Sequence, residues 1–304
     1  MIADLLKQLA VALPKFAWYH LSKPFRRPGP ERVPTVQDAN SSYEAMTDSV
    51  GLDASYETLV PWKPFRTDSP SPELQSDSLY QLWASTSGGQ KWSHYFPIYR
   101  AIFEPLRARP LRVLEVGVLM GSSLRMWRQY FNHPQTVIVG IDIDPRCEQH
   151  DASSSGVHVR IGSQDDPHFL KNVISEFGKF DLIIDDGSHI SSHIIATFNH
   201  LFADGLNDAG IYFVEDLHAN YWPSWRNTRK SFLDVCKELI EHMHGHYQRG
   251  SAGSFLVDNP SGQPENPLRV PLITTMIKEI RFFDSIVAIY KTKAEHIPYF
   301  LRGK

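Results

Sequence analysis

Two short stretches concentrate the polar chemistry of this chain. Asp185-Asp186-Gly187-Ser188-His189 and Glu215-Asp216-Leu217-His218 each follow an apolar run and together supply four carboxylates and two histidines. Carboxylates crowded at one place repel one another, so each is costly without a cation or a proton to offset it. A hard divalent ion held through oxygen, with water and substrate completing its shell, offsets that cost. His189 stands three residues beyond Asp186, beside such an ion without having to ligate it. An imidazole of ordinary pKa, about 6.5, is suited to accept a proton there. The competing reading makes these acids N-caps of the helices that follow and His189 a polar cap residue. One cap would suffice at each place where two acids stand, which favours the first reading.

A second group lies upstream. In Glu115-Val116-Gly117-Val118-Leu119-Met120-Gly121, the glycines Gly117 and Gly121 let a ligand approach backbone amides at the start of a helix. Asp142 ends the next strand-like run, where a carboxylate accepts hydrogen bonds from a ribose diol. Two packing glycines and a surface aspartate would leave the same trace. The Gly-x-Gly-x-x-Gly of dinucleotide folds is absent, because Leu119 stands at its middle position. Gly88-Gly89-Gln90-Lys91-Trp92-Ser93-His94-Tyr95 combines a flexible turn with aromatics and a cation, and reads as a lid or as a simple loop.

These groups need elements that bring them to one edge. Val113–Val116, Val137–Asp142, Val157–Ile161, Phe180–Ile184 and Gly210–Val214 read as short buried strands. Helices are expected between them: one capped by Ser122 or Ser123 and running through Leu124, Trp127 and Phe131, others over 167–177, from Ser191 to Phe202, and over 229–246. Strand–helix alternation of this kind predicts an α/β fold, a parallel doubly wound sheet covered on both faces. Ligands of such sheets bind outside the carboxyl ends of the strands, where the acids stand. Ile277–Phe282 and Ser285–Tyr290 are separated by two residues only, which predicts an antiparallel or bent final pair.

The chain has 304 residues, with 42% hydrophobic and 12% aromatic residues, enough for a sizeable core. A formal net charge of −3 argues against a nucleic-acid partner. The two cysteines, Cys147 and Cys236, are too few for a disulfide framework or a cysteine zinc site and point to a reducing, cytoplasmic setting. No apolar run is long enough for a transmembrane segment. Nine of the 21 prolines precede residue 79, which divides the chain into an arm over 1–78 and a catalytic domain over 79–304. The arm opens with a helical pattern at Ile2, Leu5, Leu6, Leu9 and Leu13 and continues as a proline-rich extension. The helix reads as packing on its own domain, docking on a partner subunit or making a peripheral membrane contact. Stretches such as Asp68-Ser69-Pro70-Ser71-Pro72 predict neither helix nor central strand.

From Leu111 to Trp222 the chain resembles the S-adenosylmethionine- and metal-dependent sugar O-methyltransferases of macrolide biosynthesis, the mycinamicin type. The resemblance rests on Leu114-Glu115-Val116-Gly117, Ser123-Leu124-Arg125-Met126-Trp127, Gly140-Ile141-Asp142-Ile143-Asp144, Ile184-Asp185-Asp186-Gly187-Ser188-His189 and Val214-Glu215-Asp216. Similar stretches lie around His94-Tyr95 and at Phe282-Phe283-Asp284-Ser285-Ile286-Val287. It implies a class I methyltransferase, Rossmann-like sheet with a terminal antiparallel strand. By the resemblance Asp186, Glu215 and Asp216 bind Mg2+, His189 is the general base, and Glu115, Gly117 and Asp142 hold the amino-acid end and ribose of S-adenosylmethionine. Gln164 and Asp165 fall on the adenine loop, and Gly121 and Asp185 complete the expected cofactor-binding set. The implied substrate is a small-molecule glycoside, a glycosylated natural product or a glycolipid, and the implied assembly a homo-oligomer. Three other readings compete: a nicotinamide-dependent oxidoreductase, a relative of the cephalosporin hydroxylase type, and a non-catalytic scaffold.

Overall fold

A computed structural model describes residues 70–245 and 270–292. The expected helix of the first 22 residues and most of the proline-rich arm lie outside the described residues. Seven strands form one sheet: β1 (Arg112–Val116), β2 (Val137–Asp142), β3 (Val157–Ile161), β4 (Phe180–Asp185), β5 (Leu206–Val214), β6 (Ile277–Phe283) and β7 (Ile286–Lys291). Their order is β3-β2-β1-β4-β5-β7-β6. The first five run parallel, and β7 lies antiparallel to both β5 and β6. The parallel sheet and the antiparallel end therefore stand as expected. Ser285, with φ 64°, turns the chain between the last two strands.

The helices are α1 (Pro72–Gln75), α2 (Ser78–Ala84), α3 (Tyr95–Phe103), α4 (Ser122–Tyr130), α5 (Pro167–Phe177), α6 (Ser191–His200) and α7 (Phe232–Met243). Two apolar clusters sandwich the sheet. On one face Tyr99 and Phe103 from α3, Trp127 from α4 and Phe131 just past its end pack over Val113, Ile184 and Phe213. On the other Leu170, Phe198 and Phe232 from α5, α6 and α7 cover Leu114, Ile183 and Tyr212. Burial of adjacent strand residues on opposite faces explains why the strands read as continuous apolar runs.

Several local expectations are corrected. Helix α4 is not capped by a serine: its N-cap is Gly121 in a left-handed conformation, with no side-chain cap bond. Ser122 turns its hydroxyl to the carbonyl of Ser87 and Ser123 turns its own to Glu115. The Asp68–Pro72 stretch does enter a helix at its end, because Ser71 caps α1 and Pro72 takes the first helical turn, where a missing N–H costs nothing. Helix α6 stops at His200 and a π turn over Leu201–Gly205 follows. Helix α7 spans Phe232–Met243, shorter than the expected 229–246, because the Ser231–Asp234 capping box starts it late. Leu74 and Leu79 already pack against the α3–α4 face. No helix among the described residues is long and apolar enough to cross a membrane.

Candidate functional site

The site grows from the carboxyl ends of β1, β2, β4 and β5. Gly117, at φ 92°, ends β1, and a Cβ there would stand 2.2 Å from the carbonyl oxygen of Asp186. Only glycine lets the β1–α4 loop lie against the β4–α6 loop. At the end of β2, Asp142 Oδ2 accepts from the amides of Val118 (2.8 Å) and Leu119 (3.0 Å), and Oδ1 accepts from Asp144 N at 2.9 Å. The Cys147 thiol stands beside the same carboxylate, and burial with this charge pushes the thiol up. Beside it opens a cleft of about 220 Å³, lined by Gly117, Leu119, Ile141, Asp142, Ser163, Gln164 and Asp186 among others. Apolar walls with a few converging polar groups suit a small organic ligand.

At the cleft's edge, from Asp186 outward, lie the acids. His189 Nε2 is 3.9 Å from Asp186 Oδ1 and 3.5 Å from Asp216 Oδ2. Ligand atoms of these three residues all lie within 4.8 Å of one another, a spacing that could hold a metal ion. His189 and Asp216 both have left-handed backbones, φ 58° and 55°, the kind of strain that collects at functional sites. Neither acid pair works as a helix cap: α6 has Ile190 at its N-cap, and Asp216 makes no side-chain cap bond. The two carboxylates are the oxygen donors a hard divalent ion takes, and the His189 imidazole stands beside them.

Glu215 shares Lys91 with Asp186 of this trio. Its Oε2 accepts from Lys91 Nζ at 2.5 Å and its Oε1 from Tyr99 OH at 2.8 Å. Lys91 Nζ also donates to Asp186 Oδ2 at 2.8 Å, and Tyr95 OH donates to Asp216 Oδ1 at 2.5 Å. Burial works against the Lys91 charge, but Asp186 and Glu215 outweigh it and hold the ammonium well above its usual range. Burial pushes the Glu215 carboxyl up, against the pull of Lys91. Burial, then Asp216, raises the Tyr95 phenol, and burial with Glu215 raises that of Tyr99, so both remain donors.

The remaining expected residues separate into two groups. Gly117, Asp142, Gln164 and Asp186 line the cleft. Glu115, Gly121, Asp165 and Asp185 are not among its lining residues. Glu115 is fully buried and accepts from Ser123 Oγ at 2.9 Å and Trp127 Nε1 at 3.1 Å. Asp185 accepts from Tyr212 OH (3.2 Å), Gln164 Nε2 (3.3 Å) and Gly187 N (3.4 Å), and burial raises it to about 7. Gly121 packs against His150, and Asp165 faces His193 at 3.5 Å. Lys91, Tyr95 and Tyr99 were not singled out as site residues. Their spacing of four was the available signal, since Tyr95 and Tyr99 share one face of α3.

No family model matches the chain. Over 177 residues it is 37% identical to the 8-demethyl-8-(2-methoxy-alpha-L-rhamnosyl)-tetracenomycin-C 3'-O-methyltransferase of Streptomyces olivaceus, covering 53% of this chain and 44% of that protein. Over 162 residues it is 36% identical to the mycinamicin VI 2''-O-methyltransferase of Micromonospora griseorubida, covering 49% and 39%. Both relatives are O-methyltransferases, one of a rhamnosyl-tetracenomycin C and one of mycinamicin VI. The chain spans less than half the length of these relatives. Its fold is that of the MycE methyltransferase of the mycinamycin biosynthetic pathway, solved in complex with Mg and SAH, with a TM-score of 0.59 at 22% identity, covering 90% of this chain and 67% of that one. The sheet is therefore the class I methyltransferase sheet expected from the sequence.

Proposed function

We propose that this chain transfers a methyl group from S-adenosylmethionine to a hydroxyl of a sugar on a glycosylated natural product. The observation that carries the reading is the meeting of Asp186, His189 and Asp216 beside the cleft that Gly117 and Asp142 form. The homologues, named as O-methyltransferases of a rhamnosyl-tetracenomycin C and of mycinamicin VI, support the same class of acceptor. Asp142 Oδ1 would take a ribose hydroxyl, and Gln164 and Ser163 would line the adenine. Asp186 and Asp216 would hold a magnesium ion, with Glu215 behind them. Such an ion would lower the pKa of an adjacent sugar hydroxyl.

His189 Nε2 would accept the hydroxyl proton, which typically contributes 10²- to 10⁴-fold. The oxygen–carbon bond forms as the carbon–sulfur bond breaks, leaving the thioether product and a proton on the imidazole. The cleft and the acid cluster align the reacting atoms, which supplies much of the remaining acceleration. The homologues, O-methyltransferases by name, do not favour a nicotinamide reaction. Buried, unpaired Cys147 and Cys236 support a cytoplasmic setting, and we retain a closed homo-oligomer as part of the proposal.

The test is methyl transfer from labelled S-adenosylmethionine to rhamnosylated polyketides and deoxysugar macrolides. We expect a labelled sugar ether, loss of activity in EDTA and recovery with magnesium. Stabilisation against heat by S-adenosylhomocysteine and not by NAD is expected alongside. Activity indifferent to EDTA would sink the metal centre, and stabilisation by NAD alone would sink the methyl-donor reading.

A further inference from the structure

His189 stands on a backbone that a side chain resists. Its φ of 58° lies in the left-handed region, and such a conformation persists only where the surroundings over-determine it. The residues on either side are pinned. Ser188 N donates to Gln164 Oε1 at 2.8 Å, and Ile190 N donates to Ser188 Oγ at 3.3 Å. Gln164 lies on the loop after β3 and is 8% exposed. Its amide nitrogen donates to Thr197 Oγ1 on α6 at 3.0 Å and to Asp185 Oδ1 at the end of β4 at 3.3 Å. Both amide hydrogens are therefore spent inside the protein. Thr197 Oγ1 also lies 3.0 Å from the Gln164 carbonyl, a second tie between that loop and α6. The fit is close: a Cβ on Gly187 would stand 2.3 Å from Gln164 Oε1.

We infer that Gln164 is a positioning residue for His189. Its loop lines the cleft, but its side chain holds Ser188, Asp185 and Thr197 together across three elements. That strut fixes the left-handed step of the β4–α6 loop and so sets where the imidazole stands, with Nε2 3.5 Å from Asp216 Oδ2. A ring nitrogen of adenine needs a donor, and this amide has both of its donors committed. Gln164 thus acts on the reaction through His189, while the shape of its loop serves the cofactor. The role in catalysis rests on the reading of His189 as the proton acceptor; the placement of the ring does not.

Gln164→Met keeps the length of the side chain and removes its three bonds. S-adenosylhomocysteine affinity, read by calorimetry, is expected to stay within about threefold of the unmodified chain. At saturating S-adenosylmethionine and rhamnosylated polyketide, kcat should fall about 10²-fold, the scale of a displaced catalytic group. In a His189→Ala background the same change should lower kcat no more than about threefold, because nothing is left to position. Gln164→Glu keeps the oxygen that Ser188 N meets and should recover at least about tenfold of the loss. Weakened S-adenosylhomocysteine with kcat preserved makes Gln164 a cofactor ligand and overturns the role. An equal loss of kcat in both backgrounds, or no recovery in Gln164→Glu, overturns it too. If Gln164→Met does not fold, Thr197→Val, which removes one partner of the amide, carries the comparison: a lowered kcat with affinity kept supports the role, and an unchanged kcat overturns it. Near-normal turnover of His189→Ala, or no transfer to any acceptor, is failure of the methyl-transfer reading, and the placement of the ring is then read without it. In EDTA, the ¹⁵N-histidine signal that His189→Ala lacks should shift or broaden in Gln164→Met while that of His133 stays. An unmoved His189 signal overturns the role whatever the reaction.

Discussion

His189 Nε2 lies 3.5 Å from Asp216 Oδ2 on a left-handed backbone, so its ring is held by the β4–α6 loop and not by a helix. Replacing it with alanine removes the proposed proton acceptor and leaves the cleft intact. We expect His189→Ala to lower kcat by about 10²- to 10⁴-fold with unchanged S-adenosylhomocysteine affinity; near-normal turnover at saturating acceptor rules out the base. Asp185, bonded to Tyr212 and Gln164, also bears on stability. Burial raises its folded-state pKa to about 7, above the roughly 3.9 of an unfolded chain. The folded state therefore binds the proton more tightly, and this stabilising contribution is complete below about pH 4 and lost as pH rises through about 7. Asp185→Asn abolishes that slope. Between pH 4 and 7.5 the variant should gain on the order of 4 kcal/mol relative to wild type, read from urea midpoints; parallel pH profiles would refute it.

At the scale of elements, the loops after β1 and β4 touch through one glycine. A Cβ on Gly117 would meet the carbonyl of Asp186 at 2.2 Å and its carbon at 2.9 Å, backbone atoms that cannot swing away, at a φ of 92° that side chains avoid. Gly117→Ala is expected to cost at least about 2 kcal/mol of stability. It should also weaken S-adenosylhomocysteine at least about tenfold, because the same loop carries the amides that Asp142 accepts. Urea unfolding and calorimetric titration check both, and intact affinity would detach the glycine from the cleft. Helix α3 works in the other direction: Tyr95 and Tyr99 donate across the sheet edge to Asp216 and Glu215, so an element N-terminal to the sheet completes the acid cluster.

Across the molecule, the sheet separates two apolar clusters that do not share side chains. Ile138 on β2 belongs to the α3–α4 face and Ile289 on β7 to the opposite one, both fully buried. Each Ile→Val change should cost about 1 kcal/mol, and the double variant the sum within about 0.5 kcal/mol. A single urea transition is expected for both single variants and the double; two resolved transitions would divide the domain into separate units. The strands were legible in the sequence because burial on both faces leaves runs such as Val137-Ile138-Val139 without alternation. Their order was legible only in part, since apolar runs of this kind carry no record of which neighbour they pair with.

Residue types and spacing alone determined the α/β class, the antiparallel end and the gathering at one edge of the acids and histidines that follow β4 and β5. These follow from local periodicity and from the rule that strand ends face one side of a parallel sheet. The tertiary structure decided what each acid meets. Glu115 and Asp185 turn inward to Trp127 and Tyr212, and Glu215 turns to Lys91, 124 residues away in the chain. A carboxylate's partner is set by side-chain direction at the end of a strand and by what packs there from distant elements. Neither leaves a mark in the residues beside it.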